Sequence, residues 1–529
     1  MSLRPAAYSA VLRNTVLLCA AIVFFVFSHP NVFIQDGVSF LGFVFLVPVF
    51  LLISHARMRS VWLYGFVYGA LGYTLYCYWL ASFHPATIFI VFACYGCILA
   101  FVFCVLRLAY VLGGRYGFFF MALVWCAYEY IKTLGFVGFG YGVCAYTQWR
   151  FLPLANTASL WGIWGISFLL AECAAVACTA LVRRLPARHC AIAVAAWIAV
   201  FAAALGYGAA QSQAQYDTLP QVRVAAVQQN SAPWSGGIDS YEADFESLCR
   251  LSRAAMAEQA GTQLVVWPET SFVPPVLHYY DSAEDYRRSR LVRRLLDFVD
   301  SGDAILVTGN DHAEFTQDER RDYNAALVFV PHVSTNPPRP GIYLKQHLVP
   351  FTEYFPFQKQ FPLLNEILLN GDTHYWSCGK EATVFFTEAA DFSVPICFED
   401  TFGPLCAQMV RKGARLLLNL TNDSWSQSVA CQKQHLAMGV FRAVENRVPL
   451  VIAAVSGQTA AVLPNGRIVA EAEPFVRTYI TAEVPDMRAA YKETAYTRGG
   501  DCMGFAFVIL AAAFFVAGAL RFILFKFRQ

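Results

Sequence analysis

The chain is predicted to join a multi-span α-helical membrane domain to an α/β domain outside the bilayer. Three observations predict this. Of its 529 residues 57% are hydrophobic and only 14% are charged, outside the range of ordinary soluble domains. The apolar residues gather into seven stretches before residue 211 and one after residue 500. Between them, residues 211–500 hold most of the acidic side chains and alternate short β-rich runs with helical patterns, as layered α/β domains do.

A bilayer core needs about 20 apolar residues per helix. The predicted spans are Val11–Phe27, Val38–Ser54, Val61–Phe83, Ala86–Val105, Gly117–Ile131, Leu160–Val182, Ala191–Ala210 and Met503–Leu524. Basic residues orient them. Ends assigned to the cytoplasm hold Arg4, Arg13, Arg57, Arg59, Arg107, Arg115, Arg183, Arg184, Arg188, Arg521, Lys526 and Arg528; the opposite short loops hold only Lys132 and Arg150. Seven spans then put residues 211–500 outside the cytoplasm, and an eighth returns the tail. The expected division is 1–210, a seven-helix transmembrane domain; 211–500, the outer domain; and 501–529, a last span with a cytoplasmic tail. The first stretch is expected to be an uncleaved signal anchor, since it has no small-x-small cleavage site.

A net charge of +2 gives no reason to propose nucleic-acid binding. Ten of the sixteen cysteines lie at or before Cys190, mostly inside spans, and no CxxC or Cys/His cluster outside them has zinc-site spacing. No metal, nucleotide site or redox cofactor is expected. Inside the spans, Glu129 is a candidate partner for Lys132 on one helix face.

In the outer domain, strand runs are read at 222–228, 263–269, 304–310, 325–330, 392–400, 415–423 and 448–455. Helices are read at Tyr241–Ala260, ending before Gly261, and at Cys431–Asn446. Three side chains here bear chemistry. Cys397 follows a buried-looking strand in SVPICFED; taken alone it is a core cysteine unless a base or cation favours its thiolate. Glu269 ends the strand run VVWPET after Trp267-Pro268 and can meet Cys397 at the carboxyl edge of a sheet, or be a surface acid. Lys345, in YLKQHLVPFTEYFP, is flanked by apolar residues; a partly buried ammonium needs a carboxylate, which Glu269 or Glu353 can supply.

Together WPET, KQHLVPFTEYFP and CFED resemble the nitrilase superfamily, whose catalytic set is Glu, Lys and Cys in that order. With seven spans before and one after, the whole chain is similar to the membrane-embedded branch of that superfamily, the bacterial apolipoprotein N-acyltransferases. The resemblance implies an αββα sandwich for residues 211–500. It implies Glu269 as general base, Lys345 as oxyanion stabiliser and Cys397 as nucleophile, with Glu353 and Glu399 supporting them. Phe398 departs from the tyrosine often found there. Trp234, Trp267, Phe398 and Trp425 are the residues expected to touch substrate; for Trp425 a packed aromatic beside the sheet is the alternative. The aromatic segment 354–376 is either a buried arm or a membrane-dipping lid.

The implied activity moves a fatty acyl chain from a phospholipid, through a cysteine thioester, to the α-amine of diacylglyceryl-cysteine on an apolipoprotein. Its expected place is the bacterial inner membrane, with the catalytic domain periplasmic. A tethered amidase needs the same three residues, but one anchor would suffice for it. A transporter predicts paired broken repeats, which the sequence lacks.

Overall fold

A computed structural model of the chain describes residues 5–231, 236–315, 320–369 and 375–527. It contains two compact units. One comprises Met1–Gln213, Ser426–Ala437 and Gly499–Gln529, the other Ala214–Trp425 and Met438–Arg498.

The first unit is helical. Among the described residues five helices are long and apolar enough to cross a bilayer: Ser9–Ser28, Pro85–Leu112, Ala158–Val182, Ala187–Ser212 and Cys502–Leu524. The other three predicted spans form shorter helices. Val38–Ser54 divides into Ser39–Val44 and Leu46–His55. Pro48 explains the break, because it has no N–H for the Val44 carbonyl. Val61–Phe83 is α-helical only to Tyr76 and continues as a 3₁₀ turn, Tyr78–Ser82. Gly117–Ile131 forms with the predicted bounds, but its 15 residues rise only about 22 Å against a core of about 30 Å.

The polar side chains inside this unit have also chosen other partners than expected. Glu129 Oε1 accepts from Trp125 Nε1 at 3.1 Å and from the Cys144 N–H at 2.9 Å. Lys132 Nζ donates to Tyr73 Oη and to the Tyr141 carbonyl, each at 2.9 Å. Glu129 Oε1 and Lys132 Nζ thus bond directly to these neighbours rather than to each other.

Among its described residues the second unit has twelve strands: β1 Gln221–Gln228, β2 Leu264–Val266, β3 Ile305–Phe315, β4 Arg320–Phe329, β5 Gly341–Leu344, β6 Phe385–Phe386, β7 Asp391–Ser393, β8 Leu416–Thr421, β9 Leu450–Ala454, β10 Ala460–Val462, β11 Ile468–Glu471 and β12 Thr478–Pro485. They form two six-stranded sheets, ordered β12-β1-β2-β3-β4-β5 and β11-β10-β9-β8-β7-β6. Each has a parallel centre, β1-β2-β3 or β7-β8-β9, and antiparallel edges. The sheets face each other where β1 and β12 meet β9, β10 and β11. Period-two alternation sorts the side chains. On the outer face of the first sheet, Val265, Trp267, Leu306, Leu327 and Phe329 pack with Phe245 and Leu248 of the helix Gly237–Glu258 and with Leu291 and Leu295 of the helix Tyr286–Asp300. The result is the expected αββα sandwich. All seven predicted strand runs contain observed strands, and the helices read as Tyr241–Ala260 and Cys431–Asn446 appear as Gly237–Glu258 and Val429–Asn446.

Candidate active site

Each of the three chemistry-bearing residues leaves a strand at an edge of this sandwich. Glu269 lies just past β2, where Pro268 ends the ladder. Thr270 follows with φ +46°, and β3 passes so closely that a Cβ on Gly309 would lie 2.3 Å from the Thr270 nitrogen and 2.7 Å from the Glu269 carbonyl carbon. Only glycine fits there. Lys345 follows β5, and its N–H bonds the Asn324 carbonyl of β4 at 2.9 Å. Cys397 opens a 3₁₀ turn, Cys397–Thr401, directly after Ile396 bridges Leu420 of β8. Its φ is +51°, a left-handed conformation that non-glycine residues rarely hold unless the surroundings impose it. One such restraint is Asn419, whose Nδ2 donates to the Cys397 carbonyl at 3.0 Å.

The charged groups form one buried cluster. Lys345 Nζ donates to Glu269 Oε1 at 3.1 Å and to Glu353 Oε1 at 2.9 Å. Asn324 Nδ2 donates to the same two oxygens, at 2.8 and 3.2 Å. Glu353 Oε2 accepts from the Val349 N–H at 2.8 Å, which folds the Pro350 turn back over the lysine. Lys345 is 1% exposed and Glu269 6%, so these interactions act with little water screening.

Burial works against the Lys345 ammonium, but the Glu269 and Glu353 carboxylates outweigh it and hold its pKa well above the usual lysine value. Glu269 is pushed up by burial, with Lys345 opposing and Glu353 adding to the rise. The Cys397 thiol is also held well up, first by burial and then by the Glu269 carboxylate, against the pull of Lys345. The neutral thiol of Cys397 is thereby favoured, within electrostatic reach of Glu269 and Lys345.

Glu399 occupies a different place from the other acids. It is fully buried, and its oxygens accept from the backbone N–H groups of Gln346 at 2.7 Å, His347 at 3.1 Å and Ile396 at 2.8 Å, and from Tyr343 Oη at 2.9 Å. It therefore ties the chain after Lys345 to the chain before Cys397. Burial raises its pKa to about 7, although the three backbone donors pull the other way.

The aromatic residues separate. Trp267 is fully buried in the helix-facing core, its Nε1 on Ser252 Oγ at 2.8 Å and its ring stacked on Phe298. There it packs with Val265 of β2 and Phe298 in the core, whereas a substrate contact was expected. Phe398 is half-buried with its ring edge-on to Phe402. Trp425 is exposed in the turn Ser424–Ser426. Trp234 lies outside the described residues. Sequence reasoning missed Asn324, Asn419 and Tyr343, since an amide or phenol inside a strand run carries no motif of its own. For Asn324 the one available signal was its place at the start of the apolar run 325–330.

Similarity to known proteins agrees with this architecture. Residues 223–493 match the carbon-nitrogen hydrolase family, and residues 23–176 match the apolipoprotein N-acyltransferase N-terminal domain. The chain is 39% identical to apolipoprotein N-acyltransferase 1 of Treponema denticola over 93% of each chain. It is 39% identical to apolipoprotein N-acyltransferase 1 of Treponema pallidum over 97% of each. Among solved structures it is similar to Saccharomyces cerevisiae Nit3, a member of branch 10 of the nitrilase superfamily, at 22% identity over 50% of this chain and 91% of that one, with a TM-score of 0.37.

Proposed function

Because the chain belongs to the apolipoprotein N-acyltransferase family, we propose that it N-acylates bacterial lipoproteins in two steps through a thioester on Cys397. The acyl donor is a phospholipid and the acceptor is the α-amine of an apolipoprotein's diacylglyceryl-cysteine. The observation that supports this most is the buried Lys345 bridging Glu269 and Glu353, in electrostatic reach of the thiol.

In the first step Glu269 takes the thiol proton as Cys397 Sγ attacks the carbonyl carbon of the phospholipid ester. The developing oxyanion is stabilised by the Lys345 ammonium, which is already fixed and therefore needs no reorganisation. Collapse breaks the ester C–O bond. The lysophospholipid leaves with the proton that Glu269 returns, and a thioester remains. In the second step the acceptor amine attacks the thioester carbon, Glu269 takes the amine proton, and the C–S bond breaks. The thiolate recovers that proton and an N-acyl amide is released. A thioester suits this sequence because it acylates amines more readily than an oxygen ester does.

Glu353 fixes the position of Lys345, and Glu399 fixes the two turns relative to each other. Phe398, half-buried, and Trp425, exposed, would border the acyl chain. Five membrane-capable helices would keep the enzyme in the lipid phase that holds both substrates and so supply proximity. The basic-residue asymmetry supports the bacterial inner membrane with residues 211–500 on the periplasmic side. The test is acyl transfer in detergent from a phospholipid to a diacylglyceryl-cysteine peptide. The wild-type chain yields the N-acyl peptide and lysophospholipid in equal amounts, and Cys397→Ala yields neither. Release of free fatty acid without peptide acylation would show a hydrolase instead.

A further inference from the structure

The inward-facing side chains at the end of the first sheet form one row across three strands. Asp311 of β3 stands opposite Asn324 of β4 in the antiparallel register. Asn324 in turn stands beside Lys345, whose N–H bonds its carbonyl. Directly opposed residues of an antiparallel pair project to the same face, with Cβ atoms about 4.5–5.5 Å apart. Asp311 is therefore a neighbour of the amide that touches both active-site carboxylates.

That amide has only one useful orientation. Both Nδ2 hydrogens are used, one on Glu269 Oε1 at 2.8 Å and one on Glu353 Oε1 at 3.2 Å. Its Oδ1 must then point away from them. Among the described residues this oxygen is buried without a hydrogen-bond partner, and so is Asp311 Oδ1. Two buried acceptors on opposed residues each lack a donor, an unfavourable arrangement that a single proton shared between them would resolve. We infer that Asp311 is a positioning residue of this site: its protonated carboxyl donates to Asn324 Oδ1 and so keeps both amide hydrogens on Glu269 and Glu353.

The surroundings favour that proton. Burial first, and then the Asp322 carboxylate on β4, push the Asp311 carboxyl up to about 7, with Arg320 of β4 pulling it down. Arg320 is itself engaged with Asp322 at 2.8 Å. His312 projects to the opposite face, its ring 6.4 Å from that of Tyr323. Glu269, Glu353 and Lys345 continue the row, and the Cys378 thiol follows Ser377, whose N–H bonds the Asp322 carbonyl at 2.8 Å. As pH rises through neutrality Asp311 loses its proton. Its carboxylate then opposes Asn324 Oδ1, and the amide no longer holds its hydrogens on the base. Thioester formation should therefore fall on the alkaline side.

The inference rests on Glu269 being the base, so the test measures both. Thioester formation from phospholipid is followed from pH 6 to 9 for the full chain and for Asp311→Asn, Asp311→Leu and Glu269→Gln, with thermal melts as a folding control. An asparagine has the same shape and donates at every pH. Asp311→Asn should match the wild type at pH 6 and keep its rate at pH 9, where roughly one wild-type molecule in a hundred still holds the proton. The advantage of Asp311→Asn there should approach a hundredfold, with KM for phospholipid unchanged. Asp311→Leu should be slow throughout. If the Asp311→Asn profile superposes on that of the wild type while Glu269→Gln is inactive, the inference is overturned and the site assignment stands. If Glu269→Gln forms thioester at the wild-type rate, the site assignment itself falls.

Discussion

Lys345 Nζ lies 3.1 Å from Glu269 Oε1, and both groups are almost fully shielded from water. In the proposed mechanism one carboxylate serves two neighbours, holding the ammonium while standing ready to take a proton from the thiol. The pairing has a kinetic consequence. Glu269 works as a base only when ionised, and burial has raised its pKa, with Lys345 opposing and Glu353 adding. The rate of thioester formation should therefore fall as pH drops through a value above the ordinary carboxylate range. Glu269→Gln should abolish that step. Lys345→Met should cost roughly 10²–10³-fold in both half-reactions, the usual effect of removing one oxyanion donor. Stopped acylation assays, with the amine acceptor added separately, measure each.

Glu353 should behave differently. Its Oε1 accepts from Lys345 and its Oε2 from the Val349 N–H. In Glu353→Gln one of these donors meets an amide N–H₂ instead of an oxygen, and the lysine loses half of its countercharge. Partial thioester formation and poor transfer to the amine are expected, read as a burst of lysophospholipid without a matching burst of N-acyl peptide.

Glu399→Gln should be damaging without touching substrate. All of the contacts to Glu399 described above are donors, three backbone N–H groups and the Tyr343 hydroxyl. A glutamine presents a donor to at least one of them, leaving a buried N–H unsatisfied at a cost of about 1–3 kcal/mol. A lower melting temperature together with a reduced rate of thioester formation is the expected pair of results. Unchanged stability would mean that the two turns are held by other contacts.

How much of this was legible in the sequence varied with the kind of interaction. Spans and strands were readable because burial imposes a pattern on many consecutive residues, so β1 and β8 appear almost as expected. The Glu269, Lys345 and Cys397 positions stood out through motif context. Helix breaks were harder to read: Pro48 divides one apolar stretch, yet apolar length alone showed nothing of it. Trp267, expected to touch substrate, lies in the helix-facing core instead, which its closeness to Glu269 in sequence does not reveal. Asn324 and Asp311 depend on register between strands, and no local pattern encodes that.

The aromatic segment after Glu353 exposes Phe357, Phe361 and Leu363, while Phe355 is buried. Exposed apolar side chains following a site proposed to use lipid fit a surface that dips into the bilayer. Replacing those three exposed residues with serine should impair reaction with vesicle phospholipid by an order of magnitude or so while sparing a short-chain soluble ester. Equal loss on both substrates would mark the segment as a packing element.

The orientation of the chain is checked by reporter fusions at residue 300 and after Gln529. The first should report a periplasmic location and the second a cytoplasmic one. A cytoplasmic signal at residue 300 would place the catalytic unit on the wrong side for its proposed acceptor.

The central claim is a covalent acyl-enzyme on one thiol, and mass spectrometry of the purified chain after mixing with phospholipid tests it most directly. In the absence of acceptor amine, the intact mass should rise by one fatty acyl group in place of one hydrogen. Peptide mapping should place that group on Cys397, and hydroxylamine or the diacylglyceryl peptide should remove it. Cys406→Ala and Cys431→Ala should acquire the same adduct, whereas Cys397→Ala should acquire none. An adduct on another residue, or N-acyl peptide formed at the wild-type rate by Cys397→Ala, would contradict the account.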